Sequence, residues 1–273
     1  MIIDGKKIAN EILAATKKEV AALNRMPVVR AVTVAPNVAT ESYLRVKTAR
    51  AAEAGMRLEV LRLPDTAATS DVVAAVRAPG ADAVIVQLPL PTGIDAEAAC
   101  DAIPVEQDAD MLSKAARATR QHSMDIVSPY LLPPVADTVR ELLMRAGINP
   151  KGKRAVVVGK GWLVGAPAAE WLAHAGAEVT VLTRDSGNIA SELQEADIIV
   201  SGAGVPNLIT PEVLKPGVVL IDAGTSESNG TLVGDADPAC AEVASVFTPV
   251  PGGVGPIAVA CLFRNVAALL IQP

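Results

Sequence analysis

The sequence predicts an α/β protein with two domains, in which helices cover parallel strands. Short apolar segments alternate with segments of helical periodicity along most of the chain, which is typical of consecutive βαβ units. The composition agrees: 51% of the 273 residues are apolar but only 2% are aromatic, so Ala, Val, Leu and Ile must fill the core, as they do in parallel sheets. The length allows two medium domains, and a second strand–turn–helix unit opens near residue 151.

The elements follow in order along the chain. We expect helices at 6–23, 40–55, 69–78, 133–147 and 256–272. We expect strands at 28–35, 57–63 and 81–88, and further strands within 151–158, 178–184, 196–204, 218–225 and 245–249. Residues 91–130 show no regular period. We therefore assign 1–138 with 257–273 to one domain and 139–256 to a Rossmann-like domain, and expect the active site in the cleft between them.

Composition and charge exclude several classes of protein. A net charge of −6 and a pI near 5.1 argue against nucleic acid or an anionic membrane as partner. No apolar run approaches the ~18 residues of a membrane span, and the start, "MIIDGKKIANEI", is too charged for a signal peptide. Three scattered cysteines and two histidines argue against disulfides and metal ligation. We expect a cytoplasmic protein without a metal.

A glycine turn indicates a nucleotide site. Gly159, Gly161 and Gly165 follow a strand and precede a helix, where the backbone and the helix N-terminus can approach a phosphate. The next strand ends at Thr183 and Arg184 rather than at the acid that would bind a free ribose 2′-hydroxyl, and Lys160 lies in the turn itself. These cations favour NADP, although solvated surface charges would give the same pattern.

Three other stretches carry candidate side chains. Tyr43 and Lys47 lie four residues apart on one helix, as catalytic groups or as a surface lysine over a half-buried ring. Gln87 ends an apolar strand, as a ligand contact or as a solvent-facing cap. In "EQDADM", Asp108 and Asp110 alternate in a loop, where solvated turn residues are the default interpretation. A stiff loop, "VPGGVGP", follows a strand and opens the last helix, so that its backbone can approach a flat ligand.

Taken together, these stretches resemble the bifunctional methylenetetrahydrofolate dehydrogenase/methenyltetrahydrofolate cyclohydrolase (FolD) family. The resemblance runs nearly end to end through "DGKKIA", "ATESYLRVK", "VQLPLP", "DAD", "GKGWLVGAP", "LVGDAD" and "TPVPGGVGP". It implies that Lys47 is the catalytic lysine, that Gln87 bonds to it, and that Tyr43 and Asp110 contact the folate. The loop residues implied at the folate and nicotinamide are Gly252, Gly253, Gly255 and Pro256. The residues implied at the nucleotide are Gly159, Lys160, Gly161, Val164, Gly165, Thr183, Arg184, Gly224 and Thr225.

The chain also departs from the family pattern. The Pro-Cys-Thr-Pro segment of the family falls at Pro133–Ala136, where only the first proline remains. Gln107 replaces a lysine, Gly159–Gly161 replaces Gly-Arg-Ser, and "VAPNVAT" replaces Val-Gly-Asp-Asp-Pro-Ala-Ser. These changes surround the implied catalytic residues and leave the residues themselves intact. The chain therefore resembles a divergent member of the family, in which the balance of the two activities is open.

The resemblance implies a function in one-carbon metabolism, with purine biosynthesis as one destination. Oxidation of 5,10-methylenetetrahydrofolate with NADP⁺ would give the methenyl cation, and hydrolysis would then give 10-formyltetrahydrofolate. It also implies a homodimer joined through the cofactor domains. Two alternatives stay open at this point: a related dehydrogenase of another small substrate, such as an amino or hydroxy acid, and a non-catalytic folate- or nucleotide-binding relative. Retention of Tyr43, Lys47, Gln87 and Asp110 together favours the enzyme.

Overall fold

The computed structural model describes residues 1–121, 131–228 and 231–271. Within these, the chain forms two compact units, each with its own sheet. The first unit comprises residues 10–121, 131–133 and 259–271. The second unit comprises residues 1–9, 134–228 and 231–258. This division differs from the predicted one mainly at residues 1–9, because Ile3 donates its backbone N–H to the carbonyl of Phe247.

Helices and strands alternate over residues 5–86 and 134–201. The helices are α1 Gly5–Ala21, α2 Val38–Glu53, α3 Thr69–Arg77, α4 Ala96–Asp101, α5 Lys114–Gln121, α6 Pro134–Arg145, α7 Gly165–His174, α8 Ala190–Glu195 and α9 Val254–Ile271. The strands are β1 Val28–Val34, β2 Arg57–Leu63, β3 Ala83–Val86, β4 Arg154–Val158, β5 Glu178–Leu182, β6 Ile198–Ser201, β7 Val219–Asp222, β8 Ser226–Ser228, β9 Thr231–Val233 and β10 Val246–Phe247. Short 3₁₀ turns lie at Val105–Gln107, Pro211–Val213 and Pro238–Glu242.

The first unit contains a parallel sheet in the order β2-β1-β3. The central strand β1 and the strand β3 are almost wholly buried, which explains why β3 is apolar throughout and β1 is mostly apolar. The edge strand β2 mixes exposed and buried positions. Asn37 caps α2 by accepting the backbone N–H of Thr40 at 2.8 Å, which fixes where the helix after β1 begins.

The second unit contains a five-stranded parallel sheet in the order β10-β7-β6-β4-β5. Its strand β6 is fully buried, as is β7. Because all five strands run in the same direction, the loops after β4, β6 and β7 leave the same edge of the sheet. The short hairpin β8–β9 is antiparallel and separate from this sheet.

The sequence predicts no segment with the length and apolarity of a membrane span, but the last helix, α9, has both. By length and composition alone its 18 residues qualify, with a mean hydropathy of 2.0. Half of the helix is nevertheless buried inside the fold, and the polar side chain of Asn265 is among the buried residues. Both features are those of a core helix.

Candidate functional site

Lys47 and Gln87 are joined by a hydrogen bond in the first unit. Lys47 lies on α2, and its Nζ donates to Oε1 of Gln87 at 2.9 Å. Gln87 directly follows β3, where its backbone N–H continues the ladder by donating to the carbonyl of Val32 at 2.8 Å. The side chain of Gln87 is 9% exposed, so its interpretation as a solvent-facing cap is wrong.

The orientation of the Gln87 amide is fixed at its other end. Nε2 of Gln87 donates to the backbone carbonyl of Leu88 at 2.8 Å, which leaves Oε1 to face Lys47. When the Lys47 amine donates one N–H to this oxygen, its other N–H groups point away from the amide. When the amine is neutral, its lone pair also points away from the amide. The half-buried position of Lys47 and its bond to a buried amide argue against its interpretation as an ordinary surface lysine. Tyr43, one turn earlier on α2, is 45% exposed.

Asp110 lies in a loop that is anchored on both sides. Asp108 is fully buried, and its carboxylate accepts the backbone N–H groups of Leu112 at 3.3 Å and Ser113 at 2.8 Å. Asn265 on α9 donates from Nδ2 to the carbonyl of Ala109 at 2.9 Å. The expectation that Asp108 is a solvated turn residue is therefore wrong, and the sequence analysis missed Asn265 as a support of this loop.

Burial perturbs the pKa of both charged groups of this cluster. Burial lowers the pKa of the Lys47 ammonium from its ordinary value, against the attraction of Asp110. Burial raises the pKa of the Asp110 carboxyl to about 6; the charge of Lys47 opposes this shift, and that of Asp108 adds to it. Burial thus favours the neutral amine of Lys47 and the protonated carboxyl of Asp110, each relative to its ordinary balance, and groups perturbed in this way are candidates for proton transfer.

The glycine turn of the second unit packs closely on its neighbours. Gly159 has a φ of +99°, and a Cβ there would lie 2.8 Å from the carbonyl oxygen of Gly202. A Cβ on Gly165, the first residue of α7, would collide with the carbonyl oxygen of Gly159. Gly161 meets no such restriction. Two of the three predicted glycines are thus required by backbone contact, with Val164 immediately before the helix.

The positive side chains predicted near the ribose are exposed. Lys160 lies in the glycine turn and Arg184 follows β5, and neither has an ion pair within the described residues. Thr183 turns the chain there: its backbone N–H donates to Oγ of Ser186 at 2.8 Å. The described end of β5 thus presents a hydroxyl and a guanidinium, with Asp185 one residue further on.

The glycine–proline loop is held by the start of the chain. Gly252 has a φ of +107°, and its carbonyl accepts the backbone N–H of Gly5 at 3.0 Å. A Cβ on Gly5 would collide with the carbonyl oxygen of Gly253, so "DGKKIA" needs its glycine for this contact. Gly255 and Pro256 lie in the first turn of α9, directly after Val254. Of the other predicted residues in this unit, Gly224 is buried and Thr225 exposed after β7.

The predicted residues therefore fall into two groups. The structure brings Lys47, Gln87 and Asp110 together in the first unit, with Tyr43 on the same helix as Lys47. All the predicted glycines and nucleotide residues belong to the second unit. Within the described residues, no group of three or more His, Cys, Asp or Glu is arranged to hold a metal ion.

Comparison with known proteins gives two family matches. Residues 3–110 match the model for the tetrahydrofolate dehydrogenase/cyclohydrolase catalytic domain. Residues 133–272 match the model for the NAD(P)-binding domain of the same family. A relative from Lacticaseibacillus casei, "Bifunctional protein FolD", is 36% identical over 279 residues, covering 98% of this chain and 96% of that protein.

Two solved structures share the whole fold. The bifunctional FolD methylenetetrahydrofolate dehydrogenase/cyclohydrolase from Campylobacter jejuni superposes with a TM-score of 0.92 at 27% identity, covering 98% of both chains. The FolD enzyme from Trypanosoma brucei, solved with NADP cofactor and an inhibitor, gives a TM-score of 0.90 at 33% identity, covering 98% of this chain and 96% of that one.

Proposed function

The chain belongs to the tetrahydrofolate dehydrogenase/cyclohydrolase family, and we propose that it oxidises 5,10-methylenetetrahydrofolate with NADP⁺ and then hydrolyses the product to 10-formyltetrahydrofolate. Membership confirms the two-domain α/β fold and the resemblance found in the sequence. It also favours the folate enzyme over a dehydrogenase of another substrate. The observation that carries the proposal is the bond between Lys47 and Gln87, because a folate-binding protein without catalysis has no use for a half-buried, oriented amine.

The second unit fits a dinucleotide. Gly159 and Gly165 bring the turn after β4 close to its neighbouring backbone, as a phosphate-binding turn requires. Exposed Lys160 and Arg184 supply the positive charge that suits a ribose 2′-phosphate, and the relative from T. brucei was solved with NADP. When bound, NADP⁺ would supply the hydride acceptor. The protein's own task in that step is to hold and align two flat molecules.

Lys47 is the proposed base of the hydrolytic step. Attack of water on the methenyl carbon releases a proton, and a neutral amine can accept it. The lowered pKa of Lys47 increases the neutral fraction, and a cationic substrate nearby would lower that pKa further. Gln87 accepts one N–H of the amine, which directs the lone pair away from the amide. Lys47 then returns its proton to solvent between turnovers.

Asp110 and Tyr43 are the proposed folate contacts of the first unit. A carboxylate can accept hydrogen bonds from the amino and ring N–H groups of a pterin. Asp110 is suited to this because the neighbouring bonds of Asp108 and Asn265 fix its loop. Tyr43 has an exposed ring on the helix that carries Lys47, and can stack along the substrate. Gly252, Gly253, Gly255 and Pro256 are proposed to contact the folate and the nicotinamide.

We also propose that the protein is a cytoplasmic homodimer, joined through the free edge of β5. This strand ends the sheet of the second unit, and three of its five residues are exposed, whereas strands of parallel sheets are normally covered on both faces. Val181 is 37% exposed there. Sedimentation should show a dimer that Val181→Lys dissociates and that Met144→Lys, at an exposed position on α6, leaves intact. A monomeric wild type would refute this.

The test of the catalytic proposal compares Lys47→Met with Arg45→Met, an exposed position on the same helix. We expect Lys47→Met to lose methenyl hydrolysis by ~100-fold or more, the range of a general base, with NADP⁺ binding and folding unchanged. Arg45→Met should retain hydrolysis within about twofold of the wild-type rate, as is typical of an exposed position. Hydrolysis at the wild-type rate in Lys47→Met would reject the role of Lys47. We propose that the 10-formyl product of the wild-type enzyme serves as a formyl donor, as in purine biosynthesis.

A further inference from the structure

Two fully buried aspartates lie under the loops that leave the carboxyl edge of the second unit's sheet. Asp222 is the last residue of β7 and is 1% exposed, and Asp235, in the "LVGDAD" segment, is 0% exposed. Neither has an ion-pair partner within the described residues. Buried carboxylates that lack a cation must be satisfied by other donors, so each of their contacts has a structural consequence.

Asp235 binds the backbone of the loop that follows β6. Its Oδ2 accepts the N–H of Ala203 at 2.7 Å, and its Oδ1 accepts the N–H of Val205 at 2.8 Å. The hydroxyl of Ser201, the last residue of β6, donates to Oδ2 at 2.5 Å. One carboxylate thus fixes three donors spread over five consecutive residues, and charge-assisted bonds of this kind are stronger than neutral ones.

The loop that Asp235 holds packs directly on the glycine turn. The carbonyl oxygen of Gly202 lies 2.8 Å from where a Cβ of Gly159 would be. On the other side, a Cβ on Gly202 would collide with the side chain of Val164, the residue before α7. A displacement of residues 202–205 would therefore move the backbone that shapes the glycine turn.

Asp222 fixes the position of Asp235 in turn. Its Oδ2 accepts the N–H of Ala236 at 2.9 Å, one residue beyond Asp235, and its Oδ1 accepts the N–H of Gly224 at 2.9 Å. A Cβ on Gly224 would collide with the Asp235 carboxylate, and one on Gly234 would collide with the Asp222 carboxylate. Gly224 is thus needed for the Asp235 carboxylate to approach the backbone, and Gly234 for the Asp222 carboxylate to do so. A glycine at 224 is therefore required by packing, apart from any contact with the nucleotide.

We infer that Asp235 is a positioning residue of the nucleotide site, which holds the loop at 202–205 against the glycine turn without touching the nucleotide. The inference rests on the proposed function of the second unit as the NADP site. It gives the "LVGDAD" segment a role. The proposed chemistry of Lys47, Gln87 and Asp110 does not involve this segment. Asp235→Asn should weaken the site, because an amide NH₂ in place of one carboxylate oxygen cannot accept the N–H of Ala203 or Val205.

The experiment compares Asp235→Asn with Asp237→Asn, whose carboxylate, in the same segment, caps the N–H of Ala239. Equilibrium binding of NADP⁺ and of a folate analogue is measured separately, and amide hydrogen exchange at Ala203 and Val205 is followed without nucleotide. For Asp235→Asn we expect the Kd for NADP⁺ to rise at least tenfold, roughly the loss of one charge-assisted bond. We also expect faster exchange at both amides and an unchanged Kd for the folate analogue. Asp237→Asn should behave as the wild type.

Ser201→Ala serves as the milder variant if Asp235→Asn does not fold, because it removes only the hydroxyl donor to Oδ2. It should raise KM for NADP⁺ and leave KM for the folate unchanged. The inference would be overturned if folded Asp235→Asn showed unaltered NADP⁺ binding and unaltered amide exchange, or if Ser201→Ala showed an unaltered KM for NADP⁺. It would also be overturned if the affinities for NADP⁺ and for the folate analogue fell equally. A wild-type protein that binds no NADP⁺ would instead refute the proposed function, and the inference with it.

Discussion

Lys47 donates to Gln87 through a hydrogen bond whose direction is fixed by a second bond, from the same amide to the carbonyl of Leu88. The amide therefore presents an oxygen to the lysine at 2.9 Å, and this oxygen carries only a partial charge. A carboxylate at the same place would form a comparable bond but would stabilise the ammonium form. A neutral partner thus orients the amine and allows burial to lower its pKa.

Gln87→Glu tests this arrangement. A carboxylate within hydrogen-bonding distance should raise the pKa of Lys47, because it stabilises the ammonium form. Because hydrolysis requires the neutral amine, its rate at pH 7 should fall and its pH profile should move to higher pH. Hydride transfer, which needs no protein base, should change less. Gln194→Glu, on α8 of the second unit, is the matched control. An unshifted profile in Gln87→Glu would mean that Lys47 is not the titrating base.

Asp110 should impose a pH limit on folate binding. Its pKa of about 6 means that the carboxylate needed for the pterin contact is lost as pH falls through that value. Below pH 6 the Kd for a folate analogue should rise by up to about tenfold per pH unit. In Asp110→Asn binding should be weak and independent of pH between about 5 and 7, since the amide does not titrate. A pH-dependent Kd that persists in this variant would assign the limit to another group.

The raised pKa of Asp110 affects folding stability in the opposite direction to folate binding: low pH weakens binding but favours the folded state. The pKa of Asp110 is raised in the folded protein above its ordinary value of 3.8, so the folded state binds the proton more tightly than the unfolded one. The contribution to stability is present below pH 3.8 and is lost as pH rises through about 6. Asp110→Asn, which removes the burial of a charge, should therefore raise the free energy of unfolding at pH 7, measured by urea denaturation, while folate affinity falls.

Much of the fold was predictable, and the limits have physical reasons. The helices and strands of 6–88 show clear periods and lie within a few residues of the predicted bounds. Helix α4 has six residues and the strands β8 and β9 have three each, too few to show a period. The burial of Asp108 was missed because a sequence does not show that Asn265, 156 residues beyond Ala109, binds the same loop.

The preference for NADP⁺ should depend on Lys160 and Arg184. Contacts of these cations with a 2′-phosphate are worth ~1.5–3 kcal/mol each. Replacing both by Ala should therefore lower kcat/KM for NADP⁺ by tenfold or more and leave the value for NAD⁺ within about twofold, since NAD⁺ lacks the phosphate. Asp185→Asn provides the opposite change, because removing this acid should increase the preference. Equal kcat/KM for the two cofactors in the wild type would show that these cations only face solvent.

The altered segment at Pro133–Ala136 should lower hydride transfer more than hydrolysis. The structure places Pro134 at the start of α6, where its carbonyl accepts the hydroxyl of Thr138 at 2.8 Å, and Ala136 is fully buried. The resemblance implies that a cysteine and a threonine of the family stand at 134 and 135. The resemblance also implies that this segment lines the region where the folate meets the nicotinamide. Replacement by Pro and Val would then remove a thiol and a hydroxyl from that wall, and small misalignments of the two rings can cost ~100-fold in rate.

Restoring both groups with Pro134→Cys and Val135→Thr should therefore raise kcat for hydride transfer, while Lys47-dependent hydrolysis changes by less than about twofold, since Lys47 belongs to the other unit. The substitutions should fold, because a first-turn N–H regained at 134 needs no intrahelical partner and Thr has nearly the shape of Val. Pro134→Ala with Val135→Ala relaxes the same turn without adding polar groups, and should give no gain. If the restored variant also gives none, at unchanged folate affinity, then positions 134 and 135 do not correspond to the family's cysteine and threonine.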